Sequence, residues 1–292
     1  MQIVSLQTNP ARRDLDPATV DSLRNAWGGG EITWLAPDLA AEFAVASVPA
    51  NAAEVAEALR ARGLDVNVLP ARGRRKRLLV ADMDSTMIDQ ECIDELAAEA
   101  GVGPRVAEIT RRAMNGELDF EGALRERVSL LEGLSETVIE HVLRDRITLA
   151  AGARALVATM KAHGAHTLLV SGGFTHFSAS VAQKIGFDEH RANRLVVEGG
   201  KLAGRVHEPI LGRDAKVAAL DEVARAKGLS PADALAAGDG ANDLGMLLRA
   251  GMGVAVHAKP SVAAAAPLRI DHGDLTSLLY LQGYAEDEIV TS

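Results

Sequence analysis

Leu78-Leu79-Val80-Ala81-Asp82-Met83-Asp84-Ser85-Thr86 decides how this chain is read. Arg77–Ala81 is a compact, largely apolar strand, and two carboxylates follow it at once. In doubly wound sheets, ligands sit beyond the carboxyl ends of the strands. Side chains two residues apart on an extended chain point the same way, so Asp82 and Asp84 share a side. Their mutual repulsion calls for a cation or a shared proton. An Asp carboxylate is also a nucleophile toward phosphorus, forming an aspartyl-phosphate. The same run reads equally as an acidic turn or helix cap, and the motif by itself leaves both readings open.

Two further apolar strands end in the same manner. Leu168-Leu169-Val170-Ser171-Gly172-Gly173-Phe174 presents a hydroxyl and backbone N–H groups ahead of a helix, which suits a phosphate oxygen. It also reads as a tight turn capped by Ser171. Ala236-Ala237-Gly238-Asp239-Gly240-Ala241-Asn242-Asp243 combines glycines, which permit close backbone approach, with acidic groups that suit a hard divalent cation. The plain alternative there is a turn with Asn242 or Asp243 as N-cap. Lys216, early in a helix, is ordinary surface decoration when taken singly. Taken together the four elements supply a nucleophile, a metal site, charge neutralisation and a proton for the leaving group, which is the set that phosphoryl transfer needs.

The rest of the chain is organised around these strand ends. From residue 77 to 292, strands alternate with helices, implying an α/β fold with a doubly wound parallel sheet. Residues from about 89 to 150 read as almost entirely helical, with breaks near Gly101-Val102-Gly103-Pro104 and Asn115-Gly116, and form an inserted helical cap. Glu198-Gly199-Gly200-Lys201 signals a hairpin between Leu195–Val197 and Leu202–Val206. Residues 1–70 read as a separate unit. Gln2–Gln7, Glu31–Leu35, Glu42–Ser47 and Leu64–Leu69 are strands, with one helix opened by Asp16 or Thr19 and another capped by Asn51 and stopped by Gly63. The order βαββαβ is the ferredoxin-like pattern. Between the two units, residues 71–76 read as a solvated basic linker in preference to a nucleic-acid patch.

Composition excludes several classes. The 292 residues are 48% hydrophobic, enough to bury a core in more than one domain and incompatible with disorder. The formal charge of −9 argues against general nucleic-acid binding and requires any phosphate site to be locally cationic. The single cysteine, Cys92, precludes an intrachain disulfide. No apolar run reaches the roughly 18–20 residues of a membrane span. Neither a leader nor a membrane contact is expected, and the chain reads as soluble and cytoplasmic.

The four motifs, in this order, resemble the haloacid dehalogenase superfamily of phosphatases, over about Arg77 to Ile270. The resemblance implies Asp82 as nucleophile, Asp84 as general acid and then base, Ser171 and Gly172 as the phosphate loop, and Lys216 as the neutralising lysine. It implies a magnesium ion (Mg2+) on Asp82, Asp239 and the backbone carbonyl of Asp84, supported by Asp243. In this superfamily the cap selects the ester. Glu91 and Arg127 suit an ammonium and a carboxylate on one ligand, as in phosphoserine, though both also read as solvated helix charges. The segments DMDSTMIDQECIDELA, RRAMNGELDFEGALRERVSLL and SGGF resemble the branch that acts on phosphoserine at the last step of serine biosynthesis. That likeness implies Met114 and Phe120 as apolar pocket residues and Asn242 as a phosphate or substrate contact. It also makes residues 1–70 resemble an ACT-type domain, which binds an effector, forms a homodimer contact or only packs. Two alternatives stand beside this reading: the same chemistry on another phosphate ester, and an amino-acid sensor with an inert core.

Overall fold

The computed structural model describes residues 1–114 and 117–291, with the side chain of Met114 excepted. The break expected at Asn115-Gly116 therefore lies outside the described residues. The first unit comprises β1 (Gln2–Gln7), α1 (Pro17–Ala26), β2 (Ile32–Ala36), β3 (Ala40–Val45), α2 (Ala52–Arg60) and β4 (Asp65–Pro70). Its antiparallel sheet has the order β2-β3-β1-β4, the ferredoxin-like arrangement. Asp16 caps α1 by accepting from Ala18 N, and Pro17 occupies the first helical position, where no donor is lost. Asn51 holds the N-cap position of α2, as expected, and its carbonyl accepts from Val55 N, but its side chain makes no cap bond; its Oδ1 accepts from the Trp27 indole at 3.1 Å instead. The tertiary partner outcompetes the local one, because an indole N–H near a core needs an acceptor.

Alternation along β1 gives the sheet two covered faces. Val4 and Leu6 pack with Val20, Leu23 and Leu59 under the two helices. Ile3, on the other side, joins the main core, and Gln7 Nε2 donates to Ser277 O at 3.3 Å. The basic run is not simply solvated. Arg74 is 10% exposed, pairs with Glu42 at 2.5 Å and donates to the carbonyls of Tyr280 and Leu281. Arg75 lies 4.1 Å over the Tyr284 ring. Charge alone said "solvent"; the fork of the guanidinium allowed one of these residues to be buried instead.

The second unit opens with β5 (Leu78–Ala81) and then leaves the sheet for four cap helices: α3 (Cys92–Glu99), α4 (Gly103–Met114), α5 (Phe120–Ser129) and α6 (Thr137–Asp145). It returns through α7 (Ala153–Ala162), β6 (His166–Phe174), α8 (Thr175–Ile185) and β7 (Glu189–Asn193). A hairpin follows, β8 (Leu195–Glu198) and β9 (Lys201–Val206), then α9 (Arg213–Ala226), β10 (Ala234–Gly238), α10 (Leu244–Arg249), β11 (Met252–Val256), α11 (Pro260–Ala265), β12 (Leu268–Ile270) and α12 (Ser277–Leu281). The sequence reading did not find α7, β7, α11 or α12. Six strands pair in parallel in the order β12-β11-β10-β5-β6-β7. Strand order therefore reverses at β5, and the crevice for a ligand lies where β5 meets β10 and β6. No helix among the described residues is long and apolar enough to cross a membrane.

The neck of the cap is a short paired crossing. Ile88 bridges Leu149, Asp89 N donates to Thr148 O, and Ala150 N donates to Met87 O. The hairpin grips the cap from the side, through Gly133 N to Leu202 O and Glu136 N to Gly200 O.

Packing behind the sheet is tightest at β11, where a Cβ added to Gly253 would stand 1.9 Å from Leu247 O. Gly253→Ala is expected to destabilise the chain by about 2–3 kcal/mol through overpacking, measured by urea unfolding. A loss below about 0.5 kcal/mol, the size of a neutral surface change, would contradict this packing.

Candidate active site

The crevice beyond β5 is built on one buried ammonium. Lys216, in the first turns of α9, is fully buried, and its Nζ lies 2.7 Å from Asp82 Oδ1 and 2.6 Å from Asp243 Oδ1. Asp82 is set by the strand: its N–H donates to Ala237 O at 3.0 Å, continuing the β5–β10 pairing, and its Oδ1 accepts from Met83 N. Asp243 uses its second oxygen to accept from Asp239 N at 3.1 Å and Gly240 N at 2.9 Å, which holds the loop after β10. That loop needs glycine at 238, where a Cβ would stand 2.5 Å from Asp243 Cγ. Asp239 receives the Thr86 hydroxyl at 3.4 Å on one oxygen, with Lys259 Nζ 3.7 Å from the other.

The electrostatics are those of excess buried acid. Carboxylate oxygens of Asp82, Asp239 and Asp243 lie within 4.8 Å of one another. Burial, then Asp243, pushes the Asp82 carboxyl well above its usual range, and Lys216 only partly opposes this. Burial pushes Asp239 up to about 6 against the pull of Lys259. Burial alone would lower the Lys216 ammonium, but Asp243 and Asp82 reverse that and hold it above the ordinary lysine range. Three close carboxylates against Lys216 and the more distant Lys259 still leave net negative charge, and oxygen donors of this kind fit a hard divalent cation. The residues present therefore suit a metal ion.

Asp84 stands on the cap side of the same loop. Its Oδ1 accepts from Cys92 N at 3.3 Å. Burial, with Glu91 adding repulsion, pushes it up to about 7. Gly173 makes room for it, since a Cβ there would stand 2.8 Å from Asp84 Oδ2. Ser171 Oγ accepts from Gly173 N at 2.8 Å, which leaves the hydroxyl proton for another acceptor. Ser85, at φ 55°, turns its Oγ to donate to Glu91 Oε1 at 2.9 Å.

A cavity of about 420 Å³ joins these groups to the cap. Asp82, Asp84, Glu91, Phe120, Arg127, Ser171, Gly172, Asp239 and Asn242 all line it. Phe120, at the start of α5 behind the N-cap Asp119, closes on the phosphate-type loop; a Cβ at Gly172 would lie 2.8 Å from its ring. Arg127 donates Nε to Ala123 O at 3.2 Å, and burial lowers its pKa while Asp94, Glu91 and Asp84 oppose. Lys216 and Asp243 do not line the cavity but sit behind Asp82 and the 238–240 loop. The Met114 expectation lies outside the described side chains.

Sequence reasoning missed several members. Arg213 and Lys259 line the cavity, and Thr110, also in its wall, has a buried Oγ1 with no hydrogen-bond partner among the described residues. Asn193, at the end of β7, donates to Gly172 O at 2.8 Å and accepts from Leu211 N at 2.7 Å, tying the phosphate-type loop to the segment ahead of α9. None of these stands in a local motif; the only signal for Lys259 is its place soon after an apolar strand.

Comparison with known proteins follows this geometry. A model of the haloacid dehalogenase-like hydrolases matches residues 79–248. Over 243 residues the chain is 43% identical to a phosphoserine phosphatase of Archaeoglobus fulgidus, covering 81% of this chain and 70% of that protein. The unliganded structure of a probable phosphoserine phosphatase from Vibrio cholerae superposes with a TM-score of 0.78 at 31% identity, over 98% of this chain and 88% of that one. A phospho-aspartyl intermediate analogue of a phosphoserine phosphatase superposes with a TM-score of 0.66 at 41% identity, over 70% of this chain and 98% of that one.

Replacing Lys216 by Met keeps the volume but leaves two buried carboxylates unpaired. In metal-free buffer with a chelator, Lys216→Met is expected to lose about 3–5 kcal/mol of unfolding free energy. Urea titration checks this, and a loss below about 1 kcal/mol, the scale of an exposed pair, would contradict a buried pairing role.

Proposed function

The chain belongs to the haloacid dehalogenase-like hydrolases, within their phosphoserine phosphatase family, and from that membership we propose that it hydrolyses O-phospho-L-serine to L-serine and phosphate through an aspartyl-phosphate at Asp82. The observation that carries the proposal is the single cavity in which Asp82, backed by Lys216 at 2.7 Å, faces Glu91 and Arg127 of the cap.

In the first step Asp82 attacks phosphorus in line. Its Oδ1 is held by Lys216 and Met83 N, so Oδ2 is the attacking atom. The bond from phosphorus to the serine oxygen breaks, and Asp84 gives its proton to that oxygen. In the second step water attacks phosphorus, Asp84 takes its proton, and the bond to Asp82 breaks to release phosphate. A carboxyl near 7 in the free site suits a group that must first give and then take a proton. Magnesium, held by Asp82, Asp239 and the Asp84 carbonyl with Asp243 behind, would supply positive charge to the phosphate oxygens. Ser171, the Gly172 backbone and Asn242 bind the phosphate, and Lys216 offsets the charge that develops on its oxygens.

The serine portion lies under the cap. Glu91 takes the ammonium and Arg127 the carboxylate, while Phe120 covers the methylene. Arg127 is suited to this because its guanidinium is half-buried and, among the described residues, hydrogen-bonded through Nε only, which leaves its terminal nitrogens for a bidentate contact. We place this reaction in the cytoplasm, as the closing step of serine formation. The second reading is the same chemistry on phosphothreonine or another small ester, and it differs only in which ligand Glu91 and Arg127 accept.

Asp82→Asn is expected to reduce turnover by about a thousand-fold or more with an unchanged far-ultraviolet spectrum, since an amide is no nucleophile here. Substantial residual hydrolysis in that variant would overturn the mechanism. In a panel of phosphate esters assayed with and without Mg2+, Arg127→Ala should raise the phosphoserine KM about ten- to hundred-fold, the worth of a lost charged hydrogen-bond pair. The same variant should leave p-nitrophenyl phosphate within about two-fold. Unchanged phosphoserine selectivity would favour the second reading.

A further inference from the structure

Asp65 is a buried carboxylate that no part of the proposed reaction uses. It opens β4, at the edge of the N-terminal sheet, and is fully inaccessible to solvent. Its Oδ1 accepts from Asp271 N at 2.8 Å, and its Oδ2 accepts from His272 N at 2.9 Å and Gly273 N at 2.8 Å. Three backbone donors on one buried carboxylate form a charge-assisted clamp. Two residues on, Asn67 donates to Arg269 O at 2.9 Å and accepts from Arg269 N at 3.0 Å, so its side chain pairs with the free edge of β12. His272 Nε2 lies 2.8 Å from Arg60 O. The N-terminal unit thus holds residues 269–273 at several points.

The segment it holds leads directly to the cap. Asp274 accepts from Thr276 N at 2.8 Å and from its hydroxyl at 2.5 Å, closing a turn. Leu275 N donates to Ala151 O at 3.1 Å. Next to it, Gly152 has φ +79°, and a Cβ there would stand 2.7 Å from Thr276 N and 3.0 Å from Asp274 Oδ1. Ala151-Gly152 is the point at which the chain leaves the cap neck and enters α7. The same segment reaches the catalytic loops on its other side. His257 Nε2 lies 2.8 Å from Gly273 O, and two residues later Lys259 N donates to Asp239 O at 3.1 Å.

We propose that Asp65 is a positioning residue for the cap: through residues 271–276 the N-terminal unit sets the pose of the cap exit at Ala151-Gly152, and with it the approach of Glu91 and Arg127 to Asp82. The contacts are hydrogen-bonded at each step, buried at Asp65 and Leu275 and part-buried between them, so the path has few free joints at which a displacement is absorbed. A unit that merely packed on the core would need none of this specificity at the neck. The inference goes beyond the reaction itself; only its kinetic readout rests on the phosphoserine assignment.

The test uses the full chain carrying Asp65→Asn, which keeps the side-chain shape but turns one acceptor into a donor facing backbone N–H groups. Hydrogen exchange by mass spectrometry is expected to rise about ten-fold at residues 146–153, because the neck loses its support. In parallel, kcat/KM for phosphoserine should fall about five-fold through KM, with p-nitrophenyl phosphate unaffected, since the small ester makes no use of the cap contacts. Faster exchange confined to residues 60–70 and 269–273, with an unchanged substrate ratio, would overturn the proposal. If phosphoserine proves not to be a substrate of the parent chain, the exchange measurement alone decides it. Should Asp65→Asn fail to fold, Asp274→Ala replaces it, removing the acceptor that closes the turn against Gly152: faster neck exchange supports the path, and an unchanged neck overturns it.

Discussion

The site depends on a lysine that cannot leave. Lys216 is sealed from water between Asp82 and Asp243, and an ammonium there is tolerable only because two carboxylates meet it. Each of the three groups therefore fixes the others. Asp82 takes its direction from β5, Lys216 from α9 and Asp243 from the start of α10. The lysine is consequently a joint between three elements as well as a source of charge. Two carboxylates on one ammonium, with Asp239 close by, leave negative charge over, and this is what makes the cluster receptive to a cation.

Topology explains why the joint falls where it does. β5 is the strand at which the order of the parallel sheet reverses, so the connections on its two sides diverge and leave a crevice above it. Asp82 and Asp84 lie at its end, Ser171 and Gly172 in β6 on one side, and Asp239 after β10 on the other. The chain also departs for the cap at this point and returns at Gly152. One crevice is thus lined by the strand ends of the sheet on one side and by Glu91, Phe120 and Arg127 of the insertion on the other.

The N-terminal unit is joined to this machinery by polar groups set among apolar ones: Ile3 and Leu69 enter the main core, and Leu35 and Leu39 pack with Tyr280. Its sheet packs one face on its own helices and the other toward the second unit, where Gln7, Glu42, Asp65 and Asn67 form hydrogen bonds or ion pairs. Such an interface specifies one register, because shifting it would strand buried donors and acceptors. The apolar contacts alone would have left that register less specified.

Much of this was legible from residues alone, and the parts that were not share a cause. Apolar strands ending in Asp82, Ser171 and Asp239 are local signals, since both the strand and its terminal polar residues lie in a few consecutive positions. Glu91 and Arg127 were legible only through resemblance, because a charge on a cap helix looks the same whether it faces water or a cavity. The side chain of Asn51 was misread as a cap because its true partner, Trp27, is distant in the chain. Arg74 was misread as solvated because Glu42 is distant too. Asp65 drew no notice, as an acidic residue opening a short strand has no local meaning. The sequence by itself therefore determined the fold class, the parallel sheet and the polar residues at its edge, for these follow from periodicity and adjacency. Tertiary structure alone decided that Lys216 is a buried joint, that Lys259, Thr110 and Asn193 belong to the site, and that the N-terminal unit is tied to the neck of the cap. Each of those facts is a hydrogen bond, an ion pair or a shared cavity wall between residues far apart in the chain, and no run of neighbouring residues encodes it.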